Sequence, residues 1–257
     1  MPRQHTLSLL LLALAGLAPA IAMPAATPMA KPYAVAGQVD LTQILAPPPG
    51  PEETKRELDT LLDIQKSRTA AEAAACIGDQ IISVYRFADV LGEKFTAENL
   101  PRTNTLFMRT LATMHVPMEK AQKYWTRKRP PLVDPDIMPV GMVPATASYP
   151  SGHATAGNLM AIILADLVPE RAAELHARGV LFGYRRVQAG VHYPSDIEAG
   201  RLSAAAIAQS LSQDPEFQAD FVAARRELRA VLGLGPSEAL ESEDHDASTG
   251  REEKGEY

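Results

Sequence analysis

The chain has 257 residues, a formal net charge of −6 and a single cysteine, Cys76. This length suits one full-sized domain with a substantial core, and a lone cysteine excludes an internal disulfide framework. Residues 237–257 hold eight acidic side chains against Arg251 and Lys254, so this tail accounts for nearly all of the net charge. Because the rest of the chain is close to neutral, no basic surface for nucleic acid is indicated.

Residues 1–22 predict a cleavable signal peptide. A short positive start precedes an apolar run from Leu7 to Ile21, which ends in a small-residue cleavage pattern at Ala20 to Ala22. An uncleaved anchor is the alternative, but the run is shorter than the roughly 20 apolar residues that a bilayer span needs. We therefore expect a periplasmic or secreted protein with no membrane span.

Residues 23–51 are rich in Pro and Ala and predict an extended lead-in, whereas residues 236–257 predict a disordered acidic tail. Between them, over 52–235, apolar residues recur at three- and four-residue intervals without strand alternation. This pattern predicts an all-α, single-domain helical bundle. Its predicted elements are helices around 58–64, 77–88, 106–114 and 118–128, a loop over 131–150, and helices over 151–167, 171–186 and from 195 onward.

Two features mark the later predicted helices. The helix after Ser151 is apolar on nearly all sides, which predicts a central position. The last helix opens with Ser195 and Glu198 in the spacing of a capping box, directly after Pro194.

Ser151, Gly152 and His153 stand where the proline-bearing loop turns into that central helix. The first N–H groups of a helix have no internal partner and lie at the positive end of its dipole, so they can bind phosphate oxygens. Glycine permits close approach, and the serine hydroxyl adds a donor. The alternative for this segment is an ordinary serine N-cap followed by an incidental histidine.

A second group comprises Arg129, Arg186, His192 and Asp196. A neutral imidazole can attack phosphorus when a carboxylate accepts its other N–H, and Asp196 follows His192 by four residues. Planar arginine forks match the oxygens of a phosphoryl group in transfer. The alternatives are a helix-start acid for Asp196 and a loop histidine bonded to backbone for His192.

The neighbouring cations Arg127, Lys128 and Arg185 are interpreted as solvated charges or ion-pair partners. The two motif arginines, the two histidines and the helix start together predict phosphate chemistry.

These segments resemble the signature of the type 2 phosphatidic acid phosphatase (PAP2) superfamily. The matching stretches are Gln122 to Arg129-Pro130, Pro150-Ser151-Gly152-His153, and Arg185-Arg186 through His192 to Asp196. Within that superfamily the chain is most similar to the secreted bacterial class A non-specific acid phosphatases, over about residues 45–211. The resemblance implies an all-α bundle of the type shared by PAP2 enzymes and vanadium haloperoxidases.

The resemblance also implies a role for each residue. His192 would attack phosphorus, Asp196 would orient it, and His153 would act as general acid and then base. Small phosphate monoesters would be the substrates, inorganic phosphate or vanadate would inhibit, and neither metal nor cofactor would be required. The phosphate would be held by Arg129, Arg186, Ser151, Gly152 and Gln122.

Two positions depart from the family pattern, because its lysine falls on Gln122 and its serine falls on Arg185. If a helix continues through Arg129, Gln122 shares its face, whereas Lys123 is rotated by about 100°. Gln122 is then a neutral donor to phosphate, or the site is weakened. A slipped register that brings Lys123 inward is the third alternative.

Two alternatives to a secreted acid phosphatase remain open. Vanadium-dependent haloperoxidases share the same segments but are usually longer. Membrane lipid phosphatases share them too, but the absence of a predicted transmembrane span argues against that role. A phosphate-binding homologue with weakened catalysis is suggested by Gln122 and Arg185. The sequence decides neither the natural substrate nor the oligomeric state, and a homo-oligomer is one alternative.

Overall fold

A computed structural model describes residues 30–235, which are helical without any strand. The all-α prediction is confirmed. The predicted signal peptide over 1–22 and the predicted tail over 236–257 lie outside the described residues. The α-helices are α1 Leu41–Ile44, α2 Pro51–Ser67, α3 Ala70–Gly78, α4 Ala88–Leu91, α5 Pro101–Trp125, α6 Gly152–Leu167, α7 Ala172–Gln188, α8 Pro194–Leu211 and α9 Pro215–Leu232. Short 3-10 turns occupy Ala34–Gly37, Val84–Phe87, Pro130–Leu132 and Pro169–Arg171.

Helix α6 lies at the centre of the fold and packs against α7 and α8, with α5 and α9 also in contact. Small residues allow this close packing. A Cβ atom added to Gly179 of α7 would stand 2.8 Å from the carbonyl oxygen of Gly157 in α6, and one added to Gly200 of α8 would stand 2.7 Å from the Cβ of Ala154. The backbones of α7 and α8 are therefore held against α6, which brings the end of α7 and the start of α8 to the first turn of α6.

The N-terminal segment differs from its prediction. An extended lead-in over 23–51 is wrong for residues 33–45, because Tyr33, Leu41 and Leu45 are buried in the main core. The Tyr33 hydroxyl donates to Asp220 of α9 at 2.8 Å. The prolines interrupt the helical pattern of this segment, but its apolar side chains still pack against α5 and α9. The core of the domain therefore begins before residue 52.

Helix boundaries were also mispredicted. The helix expected over 77–88 does not form, because α3 ends at Gly78 and Asp79 turns its buried carboxylate toward Arg86 and Arg178. The two helices expected over 106–128 are one, α5, which contains the buried Pro117 and ends at Trp125. Between residues 194 and 235 the chain forms two helices, α8 and α9, where one was predicted, and the carboxylate of Asp214 caps the second.

Within residues 30–235, no helix combines the length and apolar character that a bilayer crossing needs.

Candidate active site

Three separated segments meet at the first turn of α6. They are the stretch after α5 that carries Arg129, the loop that ends at Ser151 just before His153, and the turn between α7 and α8 that carries His192. Backbone hydrogen bonds join them, since Ser148 N–H donates to the Arg127 carbonyl at 2.8 Å and Ser151 N–H donates to the Asp196 carbonyl at 3.0 Å. The motif residues predicted from separate stretches of sequence are therefore brought together.

His192 lies in the interior of this site and is 1% exposed. Its Nδ1 lies 3.1 Å from Asp196 Oδ2, and its Nε2 lies 2.9 Å from Nη1 of Arg129. Because a carboxylate and a guanidinium can only accept and only donate, respectively, Nδ1 carries the hydrogen and Nε2 carries the lone pair. Burial lowers the pKa of His192, although the hydrogen bond to Asp196 opposes this shift. The ring is thus oriented with the Nε2 lone pair beside a cation.

Asp196 is fully buried and accepts hydrogen bonds from several segments. Besides His192, its donors are Arg127 Nη1 at 2.7 Å, the Tyr193 N–H at 2.9 Å, and the Ser148 hydroxyl. Helix α8 begins at Pro194, with Asp196 in its first turn, so the capping box predicted at Ser195 and Glu198 is wrong. Proline suits the first helical position because no N–H partner is needed there.

Arg129 is 3% exposed and is anchored by main-chain oxygens. It donates to the carbonyls of Thr146 at 2.9 Å and Val191 at 3.0 Å, in addition to its contact with His192. Burial lowers the pKa of Arg129 to about 10, so the side chain remains a cation at neutral and acidic pH. The guanidinium is therefore fixed in place beside Nε2 of His192.

Arg186 is 2% exposed and approaches the site from α7. One Nη donates to the Cys76 carbonyl, whereas its buried Nε has no hydrogen-bond partner among the described residues. A buried donor left without a partner is costly in a folded protein. Burial also lowers the pKa of Arg186. A bound anion would relieve both penalties, which fits the predicted phosphate-binding role.

His153 lies in the first turn of α6, stacked on Phe182. Its Nε2 is 2.9 Å from the Gln80 carbonyl oxygen, and since that oxygen can only accept, Nε2 carries the hydrogen. Burial lowers the pKa of His153 to about 4, and the charges of Arg186, His192 and Arg129 act in the same direction. Both imidazoles therefore lie within electrostatic reach of the same two arginines.

Ser151 and Gly152 form the junction between loop and helix. The buried Ser151 hydroxyl accepts from the Ala154 N–H at 3.3 Å, which is the N-cap alternative, and its own hydrogen is not used by that bond. A Cβ atom added to Gly152 would meet nothing within 4 Å. The start of α6 is therefore open at the residue where phosphate was predicted to approach.

The side chains of Gln122 and Lys123 point in different directions, as their neighbouring positions on a helix predict. The Gln122 amide donates to the Pro150 carbonyl at 3.0 Å, so it braces the peptide before Ser151. Lys123 points away, pairs with Glu119 at 2.7 Å and is 74% exposed, so the slipped register is wrong. Because α5 ends at Trp125 and Thr126 is left-handed, Arg129 is not on the same helix as Gln122.

The three cations interpreted as solvated or paired have different environments. Lys128 is exposed. Arg185 donates to the Gln188 side chain at 2.7 Å. Arg127 is indeed an ion-pair partner, but its side chain is only 8% exposed and contacts Asp196 and Glu57.

Sequence reasoning missed four contributors to the site, namely Glu57, Gln80, Ser148 and the inward placement of Arg127. No local motif identifies them, because their partners are distant in the chain and the carbonyl of Gln80 is common to every residue type. Among residues 30–235 no group of three or more His, Cys, Asp or Glu side chains is arranged to hold a metal ion.

Comparison with known proteins identifies the family of this chain. The sequence model of the PAP2 superfamily matches residues 105–218. An acid phosphatase of Zymomonas mobilis is 36% identical over 148 residues, which are 55% of this chain and 55% of that protein. A non-specific acid phosphatase of Salmonella typhimurium is 32% identical over 215 residues, covering 78% of this chain and 83% of that protein. One from Salmonella typhi is 31% identical over 197 residues, covering 72% and 78%. The chain belongs to the PAP2 superfamily.

The contacts of Gln122 lead to a prediction for the departure at this position. We expect Gln122→Lys to keep or raise kcat toward p-nitrophenyl phosphate, because an ammonium can still donate to the Pro150 carbonyl and adds positive charge beside the site. The matched control is Lys123→Gln, which removes an exposed ion pair and should leave kcat and KM unchanged. A large loss in Gln122→Lys, or any large effect of Lys123→Gln, would contradict this placement.

Proposed function

We propose that the protein is an acid phosphatase that hydrolyses small phosphate monoesters through a phosphohistidine at His192. The observation that carries the proposal is the orientation of His192, whose Nδ1 faces Asp196 at 3.1 Å while Nε2 faces Arg129 at 2.9 Å. The relatives named acid phosphatase support the same reaction class.

In the first step the Nε2 lone pair of His192 forms a bond to phosphorus as the bond from phosphorus to the ester oxygen breaks. The leaving alkoxide takes a proton from His153 and departs as an alcohol. Asp196 accepts the Nδ1 hydrogen throughout and balances the positive charge that develops on the ring.

In the second step a water molecule attacks the phosphohistidine. His153, now neutral, removes a proton from that water as the phosphorus–nitrogen bond breaks, and inorganic phosphate is released. His192 regains its lone pair and His153 regains its proton, so the cycle closes with one ester and one water consumed.

Positive charge for the transferred group comes from Arg129, Arg186 and the open start of α6 at Gly152. These groups are fixed before substrate arrives, so little reorganisation is needed as negative charge spreads over the phosphoryl oxygens. The proposed reaction uses no metal or cofactor, and inorganic phosphate and vanadate should compete for the same place.

The predicted signal peptide over residues 1–22 leads us to propose export to the periplasm or the medium. Phosphate esters in those compartments would then be the substrates.

The low pKa of His153 predicts different pH profiles for kcat/KM and kcat. In the free protein His153 loses its proton above about pH 4, so kcat/KM should fall as the pH rises beyond that value. A bound phosphoryl anion offsets the nearby cations and raises the pKa of His153, so kcat should persist to higher pH. Steady-state profiles with an aryl phosphate, corrected for the titration of the substrate, measure both limbs.

The His153→Gln variant is the control for this assignment. It should lose most of its activity, and its remaining activity should no longer fall as the pH rises. Superimposable limbs for kcat and kcat/KM, or a flat profile between about pH 4 and pH 9, would contradict the role of His153 as the acid.

The assignment of His192 is tested by substitution. His192→Ala should abolish hydrolysis of p-nitrophenyl phosphate, since no other described side chain presents an unprotonated nitrogen to Arg129. The proposal is supported if the wild type turns over and His192→Ala does not, and equal activity of the two proteins would overturn it. Phosphate binding without turnover by wild type would indicate the non-catalytic homologue, and bromide oxidation in vanadate-loaded protein without phosphatase activity would indicate the haloperoxidase.

A further inference from the structure

Arg127 connects helix α2 to the turn that carries His192. Its Nη1 donates to Asp196 Oδ1 at 2.7 Å and to the Ser195 hydroxyl at 2.8 Å. Its Nη2 donates to Glu57 Oε2 of α2 at 2.7 Å and to the Thr54 hydroxyl at 3.3 Å. The guanidinium thus spans two elements that are not neighbours in sequence.

The same turn is held from two further directions. The Arg127 guanidinium stacks over the ring of Tyr193 at 3.8 Å. The second oxygen of Glu57 accepts the Ser195 N–H at 2.7 Å. Glu57 and Arg127 therefore fix residues 193–196 as a pair, on the side of Asp196 away from His192.

From these contacts we propose that Arg127, held by Glu57, is a positioning residue for the nucleophile His192. By occupying Asp196 Oδ1, it leaves Oδ2 to accept the Nδ1 hydrogen of His192, which keeps the lone pair on Nε2. The inference rests on the proposed function, because it assigns a role within the same reaction.

The charges of this cluster support the assignment. Glu57 is 5% exposed and Asp196 is fully buried, and Arg127 is the guanidinium placed between the two carboxylates. Without that cation, both buried carboxylates would lose the guanidinium that pairs with them. Asp196 would then no longer be held with Oδ2 toward Nδ1, and the imidazole would lose its fixed tautomer.

The contacts of Arg127 also separate its role from phosphate binding. Its four side-chain hydrogen bonds go to Asp196, Ser195, Glu57 and Thr54. None goes to Arg129, Arg186 or the start of α6. Loss of Arg127 should therefore slow the attack of His192 while the affinity for phosphate is retained.

The test uses the purified full chain with the substitutions Arg127→Gln and Arg127→Lys. We expect kcat for p-nitrophenyl phosphate to fall about 100-fold in Arg127→Gln, the size of effect produced by a misplaced reacting group. Arg127→Lys keeps the charge but not the fork, so a partial rescue is expected. The inhibition constant of inorganic phosphate should change by less than about threefold, since it reports ground-state binding.

A spectroscopic measurement distinguishes positioning from general loosening. In wild type, proton NMR should show a strongly downfield Nδ1–H of His192 bonded to Asp196, identified by its absence in His192→Ala. That signal should be lost in Arg127→Gln. Retention of the signal with normal kcat in a folded Arg127→Gln variant would overturn the proposal.

Arg229 offers a matched control for stability. Its side chain is 6% exposed and pairs with Glu170 at 2.7 Å, far from the site on α9. Arg229→Gln removes a guanidinium as buried as that of Arg127, although its partner Glu170 is 48% exposed, so its melting temperature should fall while kcat is retained. An equal loss of kcat in both variants would show that Arg127 acts only through stability.

If Arg127→Gln does not fold, Glu57→Gln provides the second variant, because it loosens Arg127 without removing the guanidinium. A fall in kcat of about 10-fold with unchanged phosphate inhibition is expected, and an unchanged kcat overturns the proposal. Absence of turnover in the wild type would instead defeat the proposed function, so the two failures are distinguishable.

Discussion

The burial of one carboxylate, Asp196, is the constraint on which the site depends. A buried charge is stable only when it is paired and hydrogen-bonded, and Asp196 meets this requirement with donors from the loop, from the stretch after α5 and from its own turn. Satisfying the carboxylate therefore forces distant segments into one arrangement. His192 is oriented as a consequence, because its Nδ1 completes the same set of donors.

The helix packing makes that arrangement reachable. Glycine and alanine at the contacts of α6 with α7 and α8 let the three backbones approach closely, so the end of α7 and the start of α8 arrive at the first turn of α6. The two buried arginines then lie near the two imidazoles, and burial together with their charges lowers the pKa of His153. A buried site rich in positive charge follows from the fold, and an anion is the ligand that it favours.

Much of the fold and of the site's composition could be predicted, because both are encoded in local sequence patterns. Periodicity gave the all-α class, and the residues Arg129, His153 and His192 were identified from their chemistry and their spacing. Local pattern failed where tertiary contacts decide. The helix predicted over 77–88 does not form, because Asp79 makes ion pairs there instead. Tyr33 was assigned to an extended lead-in because the prolines around it obscured its burial. Arg127 was interpreted as a solvated charge or an ion-pair partner, and its buried position was missed because its partner Glu57 lies 70 residues away.

The central claim is that Asp196 and Arg129 together orient His192 so that its Nε2 is the nucleophile that attacks phosphorus. Its most direct test is rapid acid-free denaturation of the wild-type protein during turnover of a phosphate monoester, followed by mass spectrometry of the peptides. The account predicts a phosphoryl group on His192 alone, absent from protein mixed with inhibitor before substrate. A phosphoryl group on His153, or on any serine, would contradict it.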